Sequence, residues 1–387
     1  MAGSIMLFFS GLPDPRGDRG SRHLLSDILT IAILSILCGG EDFTDMEDFG
    51  NAREQWLRTF LKLPDGVPSH DTFGRVFAAL DPEAFESCFR AWTSAVAGEL
   101  AGVLAIDGKT VRRSFDKASG KAAVHMVSAW GADNGVVFGQ LATDAKSNEI
   151  TAIPQLLRML ELKGLIVTID AMGCQKQIAA QITAQNGEYV LGVKANQPTL
   201  LADIQDTFRW ARQRDFRGLK HAESVQTEKG HGRVEVRRVT TLWELSLVRD
   251  ASSWAGLSCI VEVQCQRTID GVTSVDHRWF ISSVLTQRSE ELGRACRAHW
   301  GVENSLHWCL DVIFAEDQSR ARAGYAAENL SRLRRLALNM LKLHTDKKKR
   351  SIKRKRFMAS LDDKYLLSIL ASSAPATTTT GLTTKTA

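Results

Sequence analysis

Two short stretches constrain the fold of this chain more than anything else in it. Residues 165–171 read L-I-V-T-I-D-A, apolar and β-branched without a break up to Asp170. Such a run is a strand covered on both faces, as in a parallel sheet flanked by helices. Residues 103–110, V-L-A-I-D-G-K-T, form a second apolar strand with Asp107 near its end. A buried strand seldom spends a position on Asp without a partner, because an unpaired buried carboxylate is costly.

The elements between and after these strands set their neighbours. Residues 124–130 and 136–142 read as strands joined by the turn Ala132-Asp133-Asn134-Gly135. A helix is predicted over 153–162, another over 176–185 ending at Asn186-Gly187, and a strand over 189–194. The order is β-β-β-α-β-α-β: three meandering strands, then helix-linked strands that run parallel. In that topology the strand bearing Asp170 lies beside the first strand, so Asp107 and Asp170 come together. Residues 198–285 interrupt the order with a helix over 200–214 and alternating strands over 233–242, 258–268 and 273–282, with Asp270-Gly271 at a hairpin tip. They read as a β-rich insertion, after which helix returns over 289–298.

Residues 1–100 read as a helical N-terminal domain. Ser26 or Asp27 is placed to cap an apolar run stopped by Gly39-Gly40, and a helix is predicted over 45–63. Ser69-His70-Asp71 precedes a third helix, and Asp81-Pro82-Glu83 opens a fourth. This domain serves either DNA binding or packing and dimerisation. Past the insertion, residues 302–322 contain neither Gly nor Pro and predict one helix. Glu303, His307 and Asp311 recur every fourth residue along one face of it, beside an apolar stripe of Trp300, Leu306, Leu310 and Phe314. A final core helix over 326–343 closes a second domain at 101–345. Residues 346–387 hold a basic segment, a short helix near 361–370 and a disordered Thr/Ser/Ala tail from 372.

The net charge of +5 is concentrated. Residues 347–356, K-K-K-R-S-I-K-R-K-R, carry eight basic groups and no acid, so the remainder carries −3. A segment of this kind contacts phosphates or is a solvated linker. The apolar run at 24–38 is too short to span a bilayer and includes Asp27, so it reads as a buried helix. There is no basic flank and apolar core of a signal peptide. Seven scattered cysteines with no C-x-x-C pair point to reduced thiols in a cytoplasm. No Walker loop or dinucleotide fingerprint is present, so no nucleotide cofactor is expected.

Two carboxylates in close approach repel unless a cation sits between them, and oxygen ligands suit Mg²⁺ or Mn²⁺. A third carboxylate from a helix packed on the sheet completes a site for two metal ions, the arrangement that cuts phosphodiesters. Taken singly, Asp107 and Asp170 also fit ordinary turn and strand-end caps.

The chain resembles the DDE transposases of bacterial insertion sequences, in the branch of the H-repeat-associated proteins. The resemblance runs over nearly the whole length. It rests on D-P-R at 14–16, P-S-H-D-T-F at 68–73, D-G-K-T-V-R at 107–112 and T-I-D-A at 168–171. It continues through V-K-A-N-Q-P at 193–198, H-G-R-V-E-V-R at 231–237 and H-W-G-V-E-N-S-L-H-W-C-L-D-V-I-F-A-E-D at 299–317. It implies an α/β fold with an RNase H-like core whose catalytic and metal-holding acids are Asp107, Asp170 and Glu303. It also implies double-stranded DNA as partner, at element ends and target, and a homodimer in the active complex. The Y-x2-R-x3-E-x6-K signature of the wider group is not kept: its Tyr, Arg and Lys positions hold Cys296, His299 and Leu310.

The phosphate contacts are therefore open. Arg297, His299 and His307 are candidates by position. Lys109, Arg112 and Arg113 follow Asp107 closely, and Lys194, Asn196 and Gln197 end a core strand on the side of the site. Lys347, Lys348, Lys349, Arg350, Lys353 and Arg354 are the candidates of the basic run. His307 and Asp311, with Glu316 and Asp317, either support the metal site or serve the helix alone. Trp300 and Trp308 read as core. The rival functions are a catalytically inactive, transposase-derived DNA-binding protein and a nuclease on the same core.

Overall fold

The computed structural model describes residues 3–17, 22–116, 120–143, 148–230, 232–285 and 289–372. The chain forms two units, Met1–Glu99 together with Ile313–Ala387, and Leu100–Val312.

The first unit begins with α1 (Gly3–Phe9), α2 (Leu25–Cys38), α3 (Phe43–Ala52), α4 (Glu54–Leu57), α5 (His70–Ala79) and α6 (Pro82–Ala97). Helix α2 is buried nearly all round, which is why its sequence lacks a polar stripe. It stops at Gly39, whose φ of 116° lets Gly40 N–H reach back to the Ser35 carbonyl at 2.8 Å. Neither Ser26 nor Asp27 caps its start: Leu24 holds the cap position without a side-chain bond. The Asp27 carboxylate is buried and accepts the Leu63 backbone N–H at 2.8 Å instead. The helix predicted over 45–63 is broken at Arg53 into α3 and α4. Asp81 does cap α6, accepting the Glu83 N–H at 3.1 Å with Pro82 in the first turn.

The second unit carries β1 (Val103–Thr110), β2 (His125–Gly131), β3 (Val136–Thr143), α7 (Glu149–Arg158), β4 (Ile166–Ile169), α8 (Lys176–Ala184) and β5 (Glu188–Val193). It continues with α9 (Pro198–Gln213), β6 (His221–Gly230), β7 (Arg233–Leu242), β8 (Cys259–Ile269), β9 (Val272–Ser282) and α10 (Ser289–Val302). All nine strands join one sheet in the order β3-β2-β1-β4-β5-β9-β8-β7-β6. Strands β1, β4 and β5 are mutually parallel, and the remaining pairings are antiparallel. The first five strands are the mixed sheet of an RNase H-like core, and the insertion adds the other four. Strand β6 escapes sequence reading because H-A-E-S-V-Q-T-E-K-G is a mostly exposed edge with no apolar alternation.

Each face of the core sheet has its own helices. Ile106, Val127, Val167 and Leu191 point into a core shared with α7, α8 and α9. On the other face Val103, Ile166 and Val190 pack with Leu292, Ala295 and Cys296 of α10.

After α10 the chain does not continue as the regular helix predicted through 322. Two π-helical turns follow, Glu303–His307 and Cys309–Ile313, the first closed by Trp308 N–H on the Glu303 carbonyl. Ala315 then adopts a left-handed φ of 49° and ends the run, a break that no Gly or Pro announces. The chain rejoins the helical unit with α11 (Ala326–Leu343), α12 (Ile352–Leu361) and α13 (Asp363–Ser372). Helix α11 packs on α2, α5 and α6, so the helical unit draws on both ends of the chain. Its Arg332, Arg334 and Arg335 are buried. Arg332 pairs with Glu86 at 3.2 Å and with Glu328 at 2.7 Å, and Arg335 pairs with Glu316 at 3.0 Å. The tail expected to be disordered lies, from 373 onward, outside the described residues.

Candidate active site

Strand register places the two strand acids at adjacent strand ends. β1 and β4 are in parallel register with Ile106 opposite Ile169, so Asp107 and Asp170 are the next residues in step. Alternation puts Asp107 on the same face as Val103, the face covered by α10. Both acids thus lie at the carboxyl ends of neighbouring parallel strands, where open α/β sheets bind their ligands.

The turn after Asp170 is tightly held. Asp170 Oδ1 accepts the Met172 N–H at 3.0 Å and opens a short 3₁₀ turn, Ala171–Gly173. Asn196 Nδ2 donates to the Ala171 carbonyl at 2.6 Å, and Gln197 Nε2 to the Cys174 carbonyl at 2.9 Å. Gly192 passes so close that a Cβ there would meet the Ala171 nitrogen at 3.3 Å. Asn196, expected on DNA, therefore spends its amide on the loop behind Asp170.

Helix α10 and the π turn supply the third side of the site. His307 Nδ1 lies 3.5 Å from Glu303 Oε2 and 3.7 Å from Asp107 Oδ2. One ligand atom each from Asp107, Glu303 and His307 falls within 4.8 Å of the others. A cleft of about 640 Å³ is lined by Asp107, Asp170, His299 and Glu303, with Lys194 and Arg278 also on its wall. Arg278, from the insertion strand β9, lies over the Trp300 ring at 3.7 Å from its centroid. Trp300 is thus a wall of the cleft rather than core, and Trp308 is 52% exposed.

The charges in the cleft are unequal. Burial raises the Asp107 carboxyl above its ordinary value, while His307 and His299 pull it down. The hydrogen bond from His307 holds Glu303 below the usual carboxylate range. Burial lowers the His299 imidazole against the opposing pull of Asp107, Asp170 and Glu303, so it favours its neutral form. His299 Nδ1 stands 3.5 Å from the Thr168 hydroxyl. The donor set fits a divalent cation: two carboxylates and an imidazole converge, and His307 Nε2 is buried with no hydrogen-bond partner among the described residues.

The other expected phosphate ligands differ in exposure and in their partners. Lys194 is exposed on the rim of the cleft, and Arg112 is exposed just past β1. Lys109 is buried, 2.7 Å from Asp311. Arg297 turns outward to Glu228 of β6, with a second contact of 2.9 Å. Lys347, Lys348, Lys349, Lys353 and Arg354 are exposed. Arg350 is half-buried, 3.2 Å from Asp346. Lys355 and Arg356, at the end of the same run, are buried and donate to backbone carbonyls. Glu316 is also structural, buried against Arg335 and Ser331 in the helical unit. His231 lies outside the described residues. The roles of Asn196, Lys355 and Arg356 left no trace in the sequence, where each carries only the signal of its neighbours.

Comparison with known proteins places the chain in a family. Residues 99–340 match the family model described as "Transposase DDE domain", and residues 6–93 match "DDE_Tnp_1-associated". "Putative transposase YncI" of Escherichia coli O157:H7 is 40% identical over 382 residues, 95% of each chain. "H repeat-associated putative transposase YhhI" of Escherichia coli K12 is 39% identical over 378 residues, 95% of this chain and 98% of that one. "Inactive transposase YbfQ" of the same strain is 38% identical over 72 residues, 19% of this chain and 86% of that one.

Proposed function

The chain belongs to the DDE transposase family, and from that premise we propose that it cuts DNA at insertion-sequence ends and transfers the freed strand to a target. The observation that carries this reading is the in-step placement of Asp107 and Asp170 on β1 and β4, with Glu303 arriving from the helix that crosses their face.

Asp107, Asp170 and Glu303 would hold Mg²⁺ or Mn²⁺, two ions in all. When bound, such ions supply Lewis-acid stabilisation of charge on the attacked phosphodiester and ease deprotonation of the attacking hydroxyl. The protein's own groups do the rest. Asp170 is pre-aligned by its bond to Met172, and the Asn196 and Gln197 amides stiffen the turn behind it. Glu303 is the most exposed of the three acids and can follow the substrate as it enters. Burial pushes the His299 imidazole toward its neutral form, which limits its competition with a cation in the cleft. Lys194 and the stacked Arg278 offer positive charge to DNA phosphates on the cleft wall. Acting on two ends at once calls for a homodimer.

The test is cleavage of duplex DNA carrying the sequence that flanks this reading frame. The wild type is expected to produce a Mg²⁺- or Mn²⁺-dependent nick with a 3′-hydroxyl. Asp170→Asn is expected to bind the same DNA and leave it intact, and cutting by this variant at the wild-type rate would overturn the assignment. Shifts without cuts by the wild type would identify a DNA-binding protein. Cutting of duplexes without element ends would identify a nuclease.

A further inference from the structure

Lys109 stands two residues after Asp107 on β1, so the two side chains rise from the same face. Its ammonium lies 2.7 Å from Asp311 Oδ1, and the side chain is 7% exposed. Asp311 stands four residues after His307, whose Nδ1 lies 3.7 Å from Asp107. Asp107–His307 and Lys109–Asp311 are therefore two rungs between β1 and the π-helical segment.

We infer that the Lys109–Asp311 ion pair is a positioning clamp that fixes Glu303 over Asp107. It rests on the metal-holding reading above. A π turn closes with the longer i→i+5 bond and interrupts the regular α-helical ladder. With the His307 rung alone, the segment bearing Glu303 can pivot about it; the second rung removes that freedom. Lys109 is buried but Asp311 keeps a third of its side chain exposed, and a half-buried ion pair of this kind adds little net stability. What it adds is register, because this ammonium and this carboxylate meet only when the π-helical segment is seated on β1. The lysine also acts on the carboxylate directly. After the His307 hydrogen bond and the two imidazoles, its charge is a further influence holding Glu303 below the usual carboxylate range. A lysine so buried and so paired reaches no DNA phosphate without breaking the rung.

Lys109→Met, Asp311→Asn and the double variant test the clamp by three measurements on full-length protein. These are Mn²⁺ affinity without DNA by calorimetry, DNA affinity in EDTA with its salt dependence, and thermal unfolding. Each single variant is expected to weaken Mn²⁺ binding about 10–100-fold, as loss of an outer-shell partner does. The double variant is expected to lose no more than the worse single one, while DNA affinity and its salt slope stay at wild-type values. Asp311→Asn keeps the comparison open should Lys109→Met fail to fold. Unchanged Mn²⁺ affinity in the variants overturns the clamp alone. So does a salt slope reduced by about one unit in Lys109→Met and not in Asp311→Asn, the mark of a phosphate contact. A wild type that binds no Mn²⁺ overturns the metal-holding reading and the clamp with it.

Discussion

Arg297 of α10 grips Glu228 of the edge strand β6, and Arg237 adds a second guanidinium 3.2 Å from the same carboxylate. The Arg297 hydrogen bond is the largest influence on Glu228 and brings its carboxyl down to about 2. A depressed carboxyl contributes stability that is present above its unfolded value, about 4.3, and is lost as pH falls through the folded one. Arg297→Met is therefore expected to be less stable than wild type at neutral pH, with the gap closing between about pH 4.3 and 2. Because both groups are partly exposed, the gap is small. Urea unfolding at stepped pH checks it, and a gap that stays constant across that range would contradict it.

The basic run holds two populations of residues. Neutralising Lys347, Lys348, Lys349, Lys353 and Arg354 is expected to weaken DNA binding similarly for all sequences. The salt slope should fall by about 0.9 for each phosphate contact removed. Thermal stability should not change, since these groups are exposed. Fluorescence anisotropy at several salt concentrations measures the first effect and a melting curve the second.

Arg356 is expected to behave in the opposite way. Its guanidinium donates to the Ile36 carbonyl at 2.9 and 3.1 Å and to the Ile313 carbonyl, and it lies over the Phe314 ring. Arg356→Met should cost about 1–3 kcal/mol through the Ile313 carbonyl, which loses its guanidinium donor, whereas the Ile36 carbonyl keeps the Gly39 N–H at 3.4 Å. That loss would appear as a lower denaturant midpoint, and an unchanged midpoint would refute it.

Glu316 belongs with Arg356 as a structural group. It is fully buried, 3.0 Å from Arg335 and 2.7 Å from the Ser331 hydroxyl. Removing its charge with Glu316→Gln strands a buried guanidinium, a change that costs about 3–5 kcal/mol. Mn²⁺ affinity per folded molecule should stay at the wild-type value. A variant that melted normally and bound Mn²⁺ weakly would place Glu316 in the metal site after all.

Metal should stabilise the folded protein by mass action. Mn²⁺ at a hundred times its dissociation constant should add about 2.7 kcal/mol, removable with EDTA. Asp107→Asn should lose that increment. If the variant and the wild type showed the same Mn²⁺-induced rise in Tm, Asp107 would not be a ligand.

What could be read in the sequence follows from what forces local pattern. Strands β1 and β4 are covered on both faces, so their apolar runs and terminal acids stand out from the residue order alone. Parallel order then brings Asp107 beside Asp170 by topology. Strand β6 is polar because it is an edge, and it reads as loop. The π turns are invisible for a different reason: residues 302–314 have ordinary helical composition, and the wider turn is chosen by packing. Lys109 illustrates the limit for charged groups. A lysine after a strand acid reads as a phosphate ligand, and only the returning segment shows that Asp311 has claimed it.

The pairing of β5 with β9 has a consequence for how such a protein can be trimmed or diversified. Gly192 and Val193 of β5 stand opposite Phe280 and Trp279 of β9 in antiparallel register, so the insertion is stitched into the same sheet as the core. Excising it would bare the β5 flank, a row of open amides and carbonyls ready to recruit a strand from another chain. The insertion is thus also the core's guard against self-association. Its outer hairpins are free to vary at their tips, provided that the strand beside β5 and the Glu228–Arg297 pair stay in place.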